Sequence, residues 1–179
     1  MLISLGNGGK TMIRLKKYSM KYRDEAAQRV ALFFGFHREL YGGIYNPDGD
    51  RIKAAKKTIK DWTHGTDELY MIADGGEIVG FIHINYRGDN VAWIEDIFVD
   101  EEKRSNGIAT KAISLAEDKV KSHKGYTAVC LDVVPRNEQA LRLYHKLGYD
   151  VLGMITVRKE LGRSDKDKKT EVLGLDFKY

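Results

Sequence analysis

The chain is poor in residues that staple or stiffen a fold. Its 179 residues include one cysteine, Cys130, and two prolines, Pro47 and Pro135. A single thiol excludes an internal disulfide framework, and a reducing, cytoplasmic setting is the default expectation. No apolar run approaches the ~20 residues that a membrane span needs, so no membrane partner is expected. Residues 1–10 lack the long apolar core and small-residue cleavage site of a secretory signal. Neither sign of charge dominates: 30 Lys+Arg stand against 26 Asp+Glu, a net +4. The densest basic run, Arg158 to Lys169, is broken by Glu160, Asp165 and Asp167. That pattern reads as a solvated loop. It is not the concentrated basic face of a nucleic-acid binder, so no nucleic-acid partner is expected. His37, His64, His83, His123 and His145 show no metal-ligand spacing, and no metal is expected.

What is present is enough for a core. Hydrophobic residues make up 42% of the chain, ample for a packed interior, and the length fits one domain. Residues 1–11, with Gly6, Gly8 and Gly9, read as a loose tail, and 12–179 as the domain. Ile13–Leu15 reads as a first strand. Tyr22–Leu40 carries Ala26, Val30, Phe33 and Phe34 at helical spacing, and Gly42-Gly43 stops it. After the turn Asn46-Pro47-Asp48-Gly49, a second helix spans Gly49–Trp62. Glu68–Ala73, Asp74-Gly75-Gly76 and Glu77–Tyr86 read as a hairpin. Val91–Val99 makes a third antiparallel strand. A helix over about 107–121, a strand Ala128–Val134 closed by Pro135, and a helix Asn137–Leu147 follow. Asn137 is the expected N-cap and Gly148 the C′ residue. Strands are expected at Val151–Leu161 and, after a polar loop, Thr170–Tyr179. The order predicts an α/β (α+β) fold in which helices flank a mixed, mostly antiparallel sheet. The unit from Val91 to Val134 is expected to pair its strands in parallel.

The chemistry concentrates between Glu95 and Ala109, Glu-Asp-Ile-Phe-Val-Asp-Glu-Glu-Lys-Arg-Ser-Asn-Gly-Ile-Ala. A strand, a small-residue turn and a helix start, in that order, form a phosphate site. The helix N-terminus offers orphan N–H groups and partial positive charge. Gly107 and Ala109 leave room for close approach, and Gly107 can adopt positive φ. Lys103 and Arg104 add charge at the rim, and Ser105 can donate a hydrogen bond. The turn is neither a dinucleotide fingerprint nor a P-loop. Glu95 and Asp96 lie on an apolar strand, where alternation would send them to opposite faces. A partly buried carboxylate needs a partner, and a protonated amine is a natural one. That amine must lose a proton before it attacks, and a carboxylate is a fitting base. Cys130 reads as a buried, inert thiol.

Thirty residues on, Asn137-Glu138-Gln139-Ala140-Leu141-Arg142-Leu143-Tyr144-His145-Lys146-Leu147-Gly148-Tyr149 resembles the signature N-x-x-A-x-x-x-Y-x-x-x-G-[FY] of the GNAT superfamily of N-acetyltransferases. Arg104-Ser105-Asn106-Gly107-Ile108-Ala109 matches that family's acetyl-CoA motif, [QR]-x-x-G-x-[GA]. The resemblance runs from about Leu69 to Leu161. It implies a single-domain GNAT fold, splayed beside Ala128–Val134. It implies acetyl-CoA held by the amides of Arg104, Ser105, Asn106, Gly107, Ile108 and Ala109, by the main chain of Ile97, Phe98 and Val99, and by Asn137. Tyr144 would be the general acid, as a phenol can protonate a leaving thiolate. The Trp93–Val99 run is similar to the acceptor strand of diamine (spermidine/spermine-type) acetyltransferases, and Glu95 would be the acceptor-side carboxylate. Asp96 would then have a structural or pantetheine-side role. The aromatics Phe33, Phe34, Phe36, Tyr41 and Tyr45 would wall the acceptor beside Glu95 and Asp50.

The implied function is direct acetyl transfer from acetyl-CoA to a primary amine in a ternary complex. The expected acceptor is a small cationic amine, a polyamine or diamine. An aminoglycoside or a protein or peptide amine is the alternative. In another class, the chain would be a non-catalytic CoA-binding module. Family members often form homodimers, and the 170–179 strand could take part.

Overall fold

The computed structural model describes residues 12–41, 49–163 and 166–179, the side chains of Gly49 and Asp50 excepted. The expected tail at 1–11, the turn residues 46–48 and Tyr45 lie outside those residues, as does the side chain of Asp50. The chain parts after Asp132 into two compact units.

The first unit is built on a five-stranded sheet. Its strands are β1 (Ile13–Lys17), β2 (Glu68–Asp74), β3 (Glu77–Asn85), β4 (Val91–Val99) and β5 (Ala128–Cys130), in that spatial order. The pairs β1–β2, β2–β3 and β3–β4 are antiparallel, and β4–β5 is parallel. The expected mixed, mostly antiparallel sheet is therefore the observed one. Gly75 and Gly76 both take positive φ, 58° and 109°, which matches the twist of the β2–β3 hairpin. Gly80 is needed for a different reason. A Cβ there would overlap the Phe98 carbonyl, so only glycine lets β3 lie this close to the stretch of β4 that carries the site.

Two helices cover one face. On α1 (Arg23–Leu40) and α2 (Gly49–Trp62), Ala26, Ala27, Val30, Phe33, Ala55 and Ile59 pack with Leu69, Met71, Phe81 and Phe98 in one buried cluster. The other face meets α3 (Ile108–Ser122), whose buried stripe is Ile108, Ala112, Ile113, Ala116 and Val120. Lys119 of α3 sits 4.5 Å over the Tyr70 ring on that side. Alternation along β2 and β3 divides the residues between these two cores.

The second unit holds α4 (Glu138–Lys146), β6 (Lys169–Val172) and β7 (Leu175–Lys178). The Asn137 side chain caps α4 by accepting from the Ala140 amide at 3.3 Å, and Gly148 takes φ 94°. Three expectations need correction. The single strand at 170–179 is a hairpin, with Leu173 and Gly174 at φ 52° and 78°. Leu173 hid this turn, because a residue at positive φ is normally Asn, Asp or Gly. Val151–Leu161 forms no strand. Val151, Leu152 and Met154 are exposed, and an extended segment becomes a strand only where another edge takes up its N–H and C=O groups. Finally, β5 ends at Cys130 and not Val134. Its pairing to β4 covers only Val91–Trp93. Cys130 itself is half-buried, more open than the expected interior thiol.

One carboxylate ties the sheet's far end together. Glu68 accepts from Lys17 at 2.9 Å, from the Tyr70 hydroxyl at 2.9 Å and from the Tyr86 hydroxyl at 3.1 Å. Burial alone would raise its pKa, but these three donors outweigh burial and hold it below the ordinary value. Its contribution to stability is therefore complete above the unfolded pKa of about 4.3 and is lost as pH falls through the lower folded value. Glu68→Ala should cost about 1–3 kcal/mol, because two phenols lose their acceptor. Glu68→Gln should flatten the acid limb of stability against pH. Chemical denaturation across pH checks both.

Candidate active site

The site begins with a fault in the strand ladder. His83 pairs with Asp96, but the next residue, Ile84, pairs with Ile94. Glu95 is the extra residue of a β-bulge, where two residues on one strand oppose one on the other. Paired residues share a face, so the chain changes face across Glu95. The alternation expected to part Glu95 from Asp96 therefore fails. Trp93, paired with Asn85, lies on the His83 face. The Arg87 guanidinium stacks on Trp93 at 4.2 Å and reaches Glu95 Oε1 at 3.2 Å. Both carboxylates thus address the face covered by α1 and α2.

The other edge of β4 is open next to the bulge. Parallel pairing to β5 stops at Trp93, two residues before Glu95. Beyond it, among the described residues, no strand takes the β5-side edge of β4 through Val99. Ile97, Phe98 and Val99 lie on this open stretch, with main-chain groups able to pair with an added extended ligand.

Past Val99 the chain enters the turn expected to hold the phosphates. Asp100 anchors its start: Arg29 of α1 donates to Asp100 Oδ2 through Nε at 3.1 Å and Nη2 at 2.7 Å. Both side chains are largely buried, and Arg29 also bonds the Ile78 carbonyl. Asn106 donates from its side chain to the Lys103 and Arg104 carbonyls. Ser105 and Gly107 take φ 63° and 74°, which turns the chain sharply into α3. The start of α3 has no side-chain cap and no acidic residue in its first turn. Its first N–H groups thus lack a side-chain acceptor, and a Cβ on Gly107 would meet nothing within 4 Å. Orphan donors facing open space suit a pyrophosphate.

The rim cations behave differently from expectation. Lys103 pairs with Glu77 at 3.0 Å. Arg104 folds back, donating from Nε to the Val99 carbonyl at 3.0 Å, with its guanidinium 5.1 Å from the Phe36 ring and 5.4 Å from the Phe98 ring. What the turn presents to an anion is main-chain amide, and these two side chains brace it.

The face above Glu95 and Asp96 is aromatic and acidic. Phe33 lies against His37, Phe81 and Phe98 at ring separations of 4.2, 5.6 and 6.4 Å. His83, 3% exposed, holds Asp96 and Asp67 at 3.0 Å each. Burial raises the pKa of Glu95, with Asp96 and Asp132 adding to the rise and Arg87 and His83 opposing it. Burial lowers the pKa of His37, against the pull of Asp96. Glu95 Oε1 is buried and, despite its ion pair with Arg87, has no hydrogen-bond donor.

In the second unit, Tyr144 is half-buried on α4, 6.1 Å from the Tyr149 ring. Burial pushes its pKa up to about 12. Asn137, expected at the pantetheine, uses its side-chain oxygen to cap α4.

Sequence reasoning missed Arg29, Asp67 and His83. Arg29 and Asp100 are 71 positions apart. Asp67, His83 and Asp96 come from three segments that only sheet register brings together. A signal was available only for His83, a polar residue between Ile82 and Ile84.

Residues 32–149 match the profile described as the Acetyltransferase (GNAT) family. The mixed, mostly antiparallel sheet flanked by helices fits that family, whose members work with CoA. The chain belongs to the GNAT acetyltransferase family. None of the curated proteins compared matches the sequence. Among solved structures, a point mutant of the BH1408 protein from Bacillus halodurans is similar at 18% identity and TM-score 0.68, over 83% of this chain and 99% of that one. A GNAT-family acetyltransferase from Staphylococcus aureus Mu50 aligns at 16% identity and TM-score 0.59, over 76% and 83% of the two chains. The aminoglycoside N-acetyltransferase AAC(6')-Iy, solved with CoA, aligns at 15% identity and TM-score 0.58, over 86% and 97%. Such likeness shows a common fold. Among the described residues no group of three or more His, Cys, Asp or Glu side chains is placed to hold a metal ion, and no helix is long and apolar enough to cross a membrane.

Arg29→Met should leave Asp100 charged, largely buried and unpaired, at a cost of about 3 kcal/mol. Because Asp100 opens the phosphate turn, CoA affinity should fall with it. Thermal unfolding and calorimetric CoA titration measure the two effects.

Proposed function

We propose that this acetyltransferase moves the acetyl group of acetyl-CoA to a primary amine on a small cationic acceptor, a polyamine or diamine. The observation that carries the reading is Glu95 Oε1, a shielded carboxylate oxygen with no hydrogen-bond donor, at the bulge beside the open edge of β4. An ammonium would supply the missing donors, and Asp96, Asp67 and the rings of Phe33, Phe36 and Trp62 suit a cation on the same face. An aminoglycoside, which also carries several ammonium groups, is the alternative, and AAC(6')-Iy has the same fold.

Acetyl-CoA would supply an activated acetyl thioester, held by the amides of residues 104–109, by the main chain of Ile97, Phe98 and Val99, and by Asn137. The amine must be neutral to attack. Glu95, directly or through a water, takes its proton, and a raised pKa makes it a better base near neutrality than an ordinary carboxylate. Tyr144 is the proposed acid. Its raised pKa keeps the proton on Oη across the neutral range. The same shift makes that proton harder to release, so its transfer accompanies departure of the thiolate. No covalent enzyme intermediate is required, because the neutral amine is itself a competent nucleophile.

Thiol release over a panel of diamines, polyamines, aminoglycosides and peptide amines tests the reading, and CoA binding without turnover on any of them would sink it. Glu95→Gln should lower kcat/KM by about 10²–10⁴-fold. It should also abolish an acid limb lying above the ordinary Glu pKa of about 4.3. Tyr144→Phe should cut kcat by about 10²-fold with CoA affinity unchanged. Full activity in Tyr144→Phe would remove the acid assignment.

A further inference from the structure

His83 is the one polar or charged residue in the buried set, among the described residues. It sits mid-sheet with a carboxylate at each ring nitrogen: Nδ1 lies 3.0 Å from Asp96 Oδ2, and Nε2 lies 3.0 Å from Asp67 Oδ2. Trp62 of α2 stacks on the ring at 4.6 Å, its plane tilted by 25°. This fixes the imidazole plane and shuts out water on that side. A neutral imidazole has one N–H and one bare nitrogen. In this setting the bare nitrogen would point its lone pair at a carboxylate oxygen 3.0 Å away. With both aspartates ionised, both contacts are attractive only when both nitrogens carry protons. Asp67 and Asp96 keep 19% and 18% of their side chains exposed, so each retains access to solvent.

We propose that His83 is a positioning residue for the acceptor site, an imidazolium clamped between Asp67 and Asp96. It fixes the Asp96 carboxylate and places a positive charge beside Glu95. This rests on reading Glu95 as the amine-side carboxylate. The arrangement leaves the two neighbouring carboxylates of β4 with separate tasks. Asp96 is occupied by an internal cation, while Glu95, in ion-pair but not hydrogen-bond contact with Arg87, keeps an oxygen for the ligand. The charged and titratable groups around the clamp are Glu95 and Asp96 on β4, Asp67 ahead of β2, and His37 on α1, which Asp96 attracts. Arg87 and Asp132 lie beyond, around Glu95. His83 opposes the burial-driven rise in the Glu95 pKa, as a positive charge there should.

Imidazole ¹⁵N NMR of the full chain at neutral pH, with His83 assigned by the signal lost in His83→Gln, tests the clamp without turnover. The expected spectrum shows protons on both His83 nitrogens. One bare nitrogen would overturn the proposal. In Asp67→Asn, which spares the ring and its packing, the ¹⁵N signal of the ring nitrogen facing residue 67 should move at the same pH. An unchanged ¹⁵N spectrum would refute the clamp. Carboxyl ¹³C titration of Glu95 should move upward in His83→Gln, and an unmoved midpoint would refute the placed charge. If wild type acetylates no amine while these shifts appear, the functional reading fails and the clamp stands.

Discussion

Everything distinctive about this site follows from one extra residue in β4. A regular antiparallel strand would have sent Glu95 and Asp96 to opposite faces. The bulge at Glu95 does not. It brings both carboxylates toward the aromatic face, and the parallel partner is lost two residues earlier. The distortion arranges the acidic face beside a stretch of β4 whose other edge takes no strand among the described residues. A bulge costs a ladder bond and some twist strain. The interactions around it are correspondingly firm. Gly80 permits close approach of β3, and the Phe81 and Phe98 rings stack at 6.1 Å across the pair.

Buried charge is treated consistently across the first unit. Glu68, Asp100 and Asp96 are each removed from much of the solvent, and each is met by defined donors. Isolated, any of them would be expensive to bury. Paired, they lock segments that hydrophobic packing alone would leave free to slide: β1 and β2 through Glu68, the phosphate turn to α1 through Asp100. Glu95 is the departure from this rule. Its Oε1 is shielded and has an ion pair but no hydrogen bond. Among the described residues it is the one buried carboxylate oxygen without a hydrogen-bond donor, which is why the proposed acceptor is placed there.

The turn before α3 shows how a basic motif can work without its charges. Lys103 and Arg104 invite a phosphate reading from sequence. In the fold, Lys103 is held by Glu77 and Arg104 by Val99 and two aromatic rings. The amides of an uncapped helix remain as the proposed anion site, and their direction is set by backbone geometry at Ser105 and Gly107. This has a specificity consequence. Oriented amides select an anion by where its oxygens sit, whereas a loose ammonium group selects mainly by charge.

Periodicity and turn chemistry were sufficient for α1, α2, α3, α4 and the β2–β3–β4 meander, because those elements are written in local patterns of apolar residues, glycines and an Asn cap. The two short motifs around Gly107 and Tyr144 were sufficient for the family. Local pattern could not reveal the Leu173–Gly174 hairpin, whose turn residue is atypical, nor the fate of 151–161, which depends on a partner edge. The bulge was equally hidden: nothing in Ile94-Glu95-Asp96-Ile97 marks it, since a bulge is a relation between two strands. Sequence by itself determined which residues carry charge and which segments are helical or extended. Tertiary structure decided which charges meet, as in Asp67–His83–Asp96 and Arg29–Asp100. Such meetings depend on register and helix packing, which are long-range properties with no local signature.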